Sequence, residues 1–276
     1  MHKLLLHCDM PPGDVLTLTA AVRDLHAARP GKYAVNVWGG RGVSYPDIWA
    51  HNPHIDTSVT PASSDIEIKM DYAQTLREAR RTHNIHFLHG YIAHLQQELQ
   101  DGCIPLTAPT PELWLTEEEK CCGADYGDYW IVMPGCKLDF TAKQWLADYW
   151  QDTINHLRGV TGSVLQLGAA NQEHVNPKFR GVTRLVGRTT LRGAFKLIAG
   201  AQGIVCHVSM GLHAAAALGT PCVVIAGGRE GPWWEQYPGH RYVHTIGKLP
   251  CCKDTDFWKS FVTPSQVDKL DERVTK

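Results

Sequence analysis

The sequence predicts an α/β protein built on parallel sheets, in two Rossmann-like halves. Three observations carry this. Gly203 to Cys206 and Cys222 to Ile225 are short apolar runs of the kind found in strands buried on both faces, and the Ala-rich stretch His213 to Leu218 between them reads as a helix. Another strand-then-helix unit opens the chain, with Lys3 to Cys8 followed by a helical pattern from Asp14 to about Ala28. A strand pattern restarts at Tyr129 to Met133, after a stretch rich in Pro, Thr and Gly that reads as a linker. At 276 residues the chain can support one large or two modest cores.

Composition narrows the function classes. A net charge of −1 argues against a protein that coats nucleic acid. Met1-His2-Lys3-Leu4-Leu5-Leu6 is followed at once by His7, Cys8 and Asp9, too short an apolar region for a secretory leader. No apolar run reaches bilayer length. A soluble, cytoplasmic protein without integral membrane association is the expectation. Of the nine cysteines, Cys8, Cys206 and Cys222 lie in or beside strand patterns and read as buried thiols. Cys121-Cys122, Cys136 and Cys251-Cys252 fall in polar or loop-like sequence. Adjacent pairs are not a zinc spacing, so reduced structural thiols are expected rather than a metal site.

The elements follow in order. Pro11-Pro12-Gly13 forces a turn after the first strand. Val15, Leu18, Val22 and Leu25 then recur at helical spacing. Asp14 suits the helix N-cap. Tyr33 to Trp38 is the second strand, and Gly39-Gly40-Arg41-Gly42 is a basic loop open to an acceptor or serving as a link. Tyr45 to Ala50 reads as a short helix ended by Asn52-Pro53. Residues 57–84 are polar and poorly periodic, with Lys69, Arg77, Arg80 and Arg81 as a basic surface. Phe87 to Gln100 is a helix; His86, His89 and His94 lack metal-ligand spacing. Thr107 to Gly127 reads as linker.

In the second half, Pro134 to Trp145 is expected to open a helix running to about Leu157. Its Gly, Thr141, Lys137 and Lys143 suit a phosphate, although the spacing is not that of a Walker loop. Lys143 also has an ordinary reading, as a solvated lysine. Val164 to Leu167 and Thr183 to Val186 are strands. Gln172 and Glu173, in the loop between them, face a nucleoside if one binds there. Thr189 or Thr190 caps the next helix. The turn Val208 to Leu212 then offers free backbone donors at a helix start, a setting that favours an anion. Gly219 and Pro221 stop that helix. Gly227 to Trp234 is a loop whose two tryptophans either stack on a ligand or pack an interface. Residues 253–276 end in a polar helix starting near Pro264.

A histidine opening an Ala-rich helix, then Leu218-Gly219-Thr220-Pro221 and an apolar strand ending in Gly227-Gly228, resembles the donor-site signature of glycosyltransferase family 9, the ADP-heptose:lipopolysaccharide heptosyltransferase-like proteins. Gly13-Asp14-Val15 with Pro30, the run His51 to Asp56, and Gly187-x-Thr189-x-Leu191 fit the same pattern. Trp234-Glu235-x-Tyr237-Pro238-x-His240 and Leu249-Pro250-Cys251-Cys252 resemble one branch of the family. Many members carry an aspartate five residues before the histidine, where this chain has Val208, which leaves the donor sugar open.

The resemblance implies the glycosyltransferase-B architecture, two Rossmann-like domains facing across a cleft. Residues 1–123 would form the acceptor side, and 124–276 the donor-binding side with a C-terminal tail. It implies an inverting, metal-independent transfer of a heptose or another sugar from a nucleotide-diphospho-sugar, with no further cofactor. Asp14 would be the general base, and Gly13 and Arg41 would face the acceptor. Lys143, Lys137, Thr141, Thr189, Ser209, Met210, Gly211, His213, Gly228 and Arg229 would hold the donor. The acceptor would be a saccharide, such as a lipopolysaccharide core, or another hydroxyl. Other readings on the same fold are a transferase acting on modified DNA or protein, a nucleotide-sugar epimerase, and a sugar-nucleotide-binding protein without activity.

Overall fold

The computed structural model describes residues 1–72, 85–138, 143–227 and 230–245. The first sheet contains β1 (His2–His7), β2 (Tyr33–Gly39), β3 (Gly42–Val43) and β4 (Ile66–Lys69), in the order β3-β2-β1-β4. β2 and β4 both run parallel to β1, with Leu4 opposite Val35 on one side and Ile66 on the other. Leu4, Leu5 and Leu6 are fully buried, because a central parallel strand has both faces covered.

The second sheet is wholly parallel. Its strands are β5 (Tyr129–Met133), β7 (Ser163–Gln166), β9 (Thr183–Arg184), β10 (Gly203–His207), β11 (Cys222–Gly227) and β12 (Arg241–His244), ordered β12-β11-β10-β5-β7-β9. The chain walks outward from β5 through β7 to β9, then returns to β10 on the other side of β5. That reversal is the switch point beside which open α/β sheets bind ligands. A small antiparallel ribbon, β6 (Cys136–Lys137) against β8 (His174–Val175), stands just beyond β5.

Helix α1 (Pro12–Ala28) joins the halves. It begins at Pro12, two residues before the expected start, since proline is pre-set for the first helical position. Asp14 is therefore a first-turn acid and not the N-cap; no side chain caps this helix. Val15, Leu16, Leu18, Ala20, Ala21, Val22 and Leu25 are all buried, so the helix is covered on nearly every side. The Thr17 and Thr19 hydroxyls remain satisfied by donating to the Asp14 and Leu16 carbonyls, at 2.7 and 2.6 Å. Around α1 lie the first sheet, α2 (Pro46–Trp49), α3 (Leu88–Leu99) and the Ala-rich helix of the second half. One buried apolar cluster runs from Leu4 through Leu18 to Leu212 and Val224.

A polar clasp ties the two sheets elsewhere. Helix α4 (Glu117–Lys120) carries a capping box between Thr116 and Glu119, inside the stretch expected to be linker. Helix α5 (Ala147–Val160) follows β6, and α6 (Leu191–Gly200) follows β9. Arg192, near the start of α6, is buried. Its Nε donates to Glu119 at 2.9 Å, and its terminal nitrogens donate to the carbonyls of Asp47 and Trp114 at 3.1 and 2.6 Å. Its backbone N–H donates to the Asp47 carboxylate at 2.9 Å. The Arg192 guanidinium holds the Glu119 carboxyl down to about 2. The cap of α6 is Thr190, which accepts from Gly193 N at 3.0 Å, and not Thr189.

Three further expectations are corrected. Residues 57–84 contain a strand, β4, formed because Ile66 and Ile68 meet the edge of β1. The helix expected from Pro134 starts only at Ala147, and Cys136–Lys137 pair instead with β8 as a short antiparallel strand. Cys136, read as a loop thiol, is buried. The proposed C-terminal helix and Cys251-Cys252 lie outside the described residues. No helix among the described residues is long and apolar enough to cross a membrane.

Candidate active site

The Ala-rich helix is α7 (Met210–Leu218), three residues longer at its start than expected, so His213 sits inside its first turns and does not open it. Gly219 ends it in the left-handed conformation at φ +73°, as a C-terminal glycine does. Its N-cap, Ser209, is extended and makes no capping bond; the buried Ser209 Oγ has no hydrogen-bond partner among the described residues. A helix start left this way presents N–H dipoles to an anion.

The start of α1 meets the start of α7 head on. A Cβ placed on Gly13 would lie 3.3 Å from Met210 N, Met210 Cα and His213 Cδ2. Any side chain there would press on backbone at tighter than ordinary contact, so glycine favours this close approach. Asp14, the next residue, is half-buried at the junction. Burial pushes its carboxyl up to about 6, with the Glu230 charge adding to the effect. The charges of Lys143 and Lys137 and a hydrogen bond from Tyr72 oppose it.

Lys143 Nζ donates to the Val208 carbonyl at 2.8 Å and stands 3.1 Å from Glu230 Oε1. It thereby grips the turn between β10 and α7 from a separate segment. His213 Nδ1 is 2.8 Å from the Tyr237 hydroxyl, and its Nε2 is 3.8 Å from Glu235. Burial pushes His213 down to about 3, assisted by the charges of His86, Lys143 and His240, so the imidazole is neutral. Phe87 stacks on His213 at 6.0 Å. Helix α8 (Pro232–Glu235) packs Trp234 on Phe87, and the Trp234 carbonyl accepts the Phe87 N–H at 2.8 Å. Trp234 thus seals the junction between the halves, one of its two expected roles.

Gly13, Asp14, Lys143, Ser209, Met210, Gly211 and His213 therefore share one junction, with Lys137 on β6 close enough for its charge to reach Asp14. Thr189, half-buried before the α6 cap, and Arg41, exposed on the β2–β3 turn, form no hydrogen bond or ion pair with that group among the described residues. Thr141, Gly228, Arg229, Arg77, Arg80 and Arg81 lie outside the described residues. Sequence reasoning missed Glu230, Tyr72 and Phe87; the pattern around Trp234 and Tyr237 was the only hint of the aromatic seal. Beyond β7 a hollow of about 400 Å³ is lined by Asn171, Gln172, His174, Asn176 and Arg184, but not by Glu173. Among the described residues no three His, Cys, Asp or Glu side chains cluster as metal ligands.

Two largely parallel sheets meeting at helix starts fit the B-type architecture of glycosyltransferases. The family model for glycosyltransferase family 9 (heptosyltransferase) matches residues 70–256. The chain belongs to that family. The family 9 glycosyl transferase from Veillonella parvula DSM 2008 is 14% identical, with a TM-score of 0.64 over 99% of this chain and 96% of that one. E. coli ADP-heptose lps heptosyltransferase II is 18% identical, with a TM-score of 0.62 over 99% and 98%. E. coli heptosyltransferase WaaC, solved with ADP, is 17% identical, with a TM-score of 0.59 over 99% and 97%. At these identities the likeness establishes the fold. No curated protein matches the sequence.

Proposed function

We propose that this chain is an inverting, metal-independent glycosyltransferase that moves a heptose or another sugar from a nucleotide-diphospho-sugar to a hydroxyl acceptor. The observation that carries the reading is the convergence of Asp14, Lys143 and the uncapped start of α7 at one junction. In the reaction, the Asp14 carboxylate takes the proton of the acceptor hydroxyl as its oxygen attacks the anomeric carbon. The bond from that carbon to the diphosphate oxygen breaks on the opposite face, so the configuration inverts. The departing nucleoside diphosphate carries the negative charge, which Lys143 and the α7 amides stabilise. A fixed ammonium and a helix start perform the service that a divalent cation gives in other transferases. Neutral His213 acts as a polar wall and not as a cation.

The acceptor is proposed to be a saccharide, such as a lipopolysaccharide core, glycosylated on the cytoplasmic side. The test is release of nucleoside diphosphate from a panel of nucleotide sugars, starting with ADP-heptose, with and without EDTA. Turnover unaffected by EDTA, with inversion seen by NMR of the product, is the expected result. Retention of configuration would sink the single-displacement mechanism, and release from no donor would leave the binding-protein reading.

A further inference from the structure

Lys143 is already engaged in this structure. Its ammonium lies 2.8 Å from the Val208 carbonyl and 3.1 Å from Glu230 Oε1, and both members of the ion pair are largely shielded from water. Glu230 comes from the segment between β11 and α8. Gly227, with φ +64°, stands on one side of it and Gly231 on the other. A diphosphate reaching Lys143 therefore meets a carboxylate on the same ammonium. Two anions about 3 Å from one lysine repel each other strongly where water is scarce.

We infer that Glu230 is a built-in competitor for the donor diphosphate: its carboxylate occupies Lys143 until a nucleoside diphosphate displaces it. This rests on the reading of Lys143 as a diphosphate ligand. The exchange has a physical advantage. A shielded ammonium keeps an anionic partner throughout, so the lysine is never left as an uncompensated buried charge. It also makes occupancy depend on the charge of the arriving group. A diphosphate, carrying more charge than a carboxylate, displaces Glu230; a neutral sugar does not.

The inference has a sign that a structural or ligand-binding role for Glu230 does not share. Calorimetric titration with inorganic pyrophosphate, then ADP, at low salt compares wild type, Glu230→Gln, Lys143→Ala and the double variant. Glu230→Gln is expected to bind both probes about tenfold tighter, one lost competitor being comparable to one charged hydrogen bond. Lys143→Ala is expected to bind roughly tenfold to a hundredfold weaker. Adding Glu230→Gln to Lys143→Ala should change little, because the competition takes place on that ammonium. Weaker or unchanged binding in Glu230→Gln overturns the inference while leaving the Lys143 result standing. Unchanged binding in Lys143→Ala, or no binding by wild type, removes the diphosphate site and the inference with it. Glu230→Ala must show the same sign as Glu230→Gln; loss of fold in both makes Glu230 a structural residue and also overturns the inference.

Discussion

Asp14 sits where its charge is disfavoured, and this has opposite consequences for catalysis and stability. Its folded value of about 6 lies above the ordinary 3.8, so the folded protein holds the proton longer than the unfolded chain. Stability is therefore higher below about pH 4, falls as the pH rises toward 6, and stays lower above it. Asp14→Asn removes that burden. At pH 8 the variant should be more stable than wild type, by up to about 3 kcal/mol, and near pH 4 the difference should vanish. Turnover should move the other way, falling about 10²- to 10⁴-fold with loss of a general base. In wild type, kcat/KM should fall about tenfold per pH unit below 6. Thermal melts and a pH–rate profile check both arms. Near-wild-type turnover in Asp14→Asn would assign the residue to helix electrostatics alone.

At the scale of elements, the junction depends on how closely α1 and α7 approach. Gly13→Ala puts a methyl 3.3 Å from the backbone of Met210 and the ring of His213, and backbone cannot move aside as a flexible side chain can. A loss of roughly 1–3 kcal/mol is expected, measurable in urea, with reduced transfer because Asp14 moves with its helix. Wild-type stability and rate in this variant would show that the contact is loose. The same junction shows what the sequence could reveal. α1 and the β10–α7–β11 unit were legible because apolar spacing and Gly219 are local signals that agree with the fold, whereas Pro12 reads locally as a turn and is in fact the first helical residue. β4, β6 and β8 are strands of two to four residues whose conformation is set by distant partners, such as Ile66 against Leu4. Lys143 was legible as a lysine near a phosphate-like turn. Its partner Glu230 was not, because no local pattern links residues from separate segments.

For the whole molecule, Arg192 is a polar tie between the two halves, reaching Asp47, Trp114 and Glu119. Arg192→Ala removes the hydrogen bonds to Glu119, Asp47 and Trp114 and leaves the Glu119 carboxylate with Lys196 alone, 3.2 Å away, so a loss of roughly 2 kcal/mol is expected. Glu119 supplies the pH signature. Held at about 2, below its ordinary 4.5, it contributes stability above about pH 4.5 that is lost as the pH falls through 2. The gap in melting temperature between wild type and Arg192→Ala should therefore narrow across that interval. A constant gap would mean that Arg192 acts through its carbonyl contacts alone.

The burial of α1 on nearly every side has a practical meaning for recombination between family members. The helix is encoded in the first half of the chain, but the start of the helix and part of its buried face belong to α7. A chimera that replaces residues 124–276 with those of a distant relative sets this α1 against a foreign partner, and should be recovered mainly as insoluble protein. Transplanting residues 12–28 from the same parent as the donor half should restore soluble yield, although the helix lies far from the cut in sequence. Equal solubility of the two chimeras would show that α1 tolerates any Ala-rich neighbour. The expected difference would show that the parts which can be inherited separately are defined by the buried surface and not by the linker.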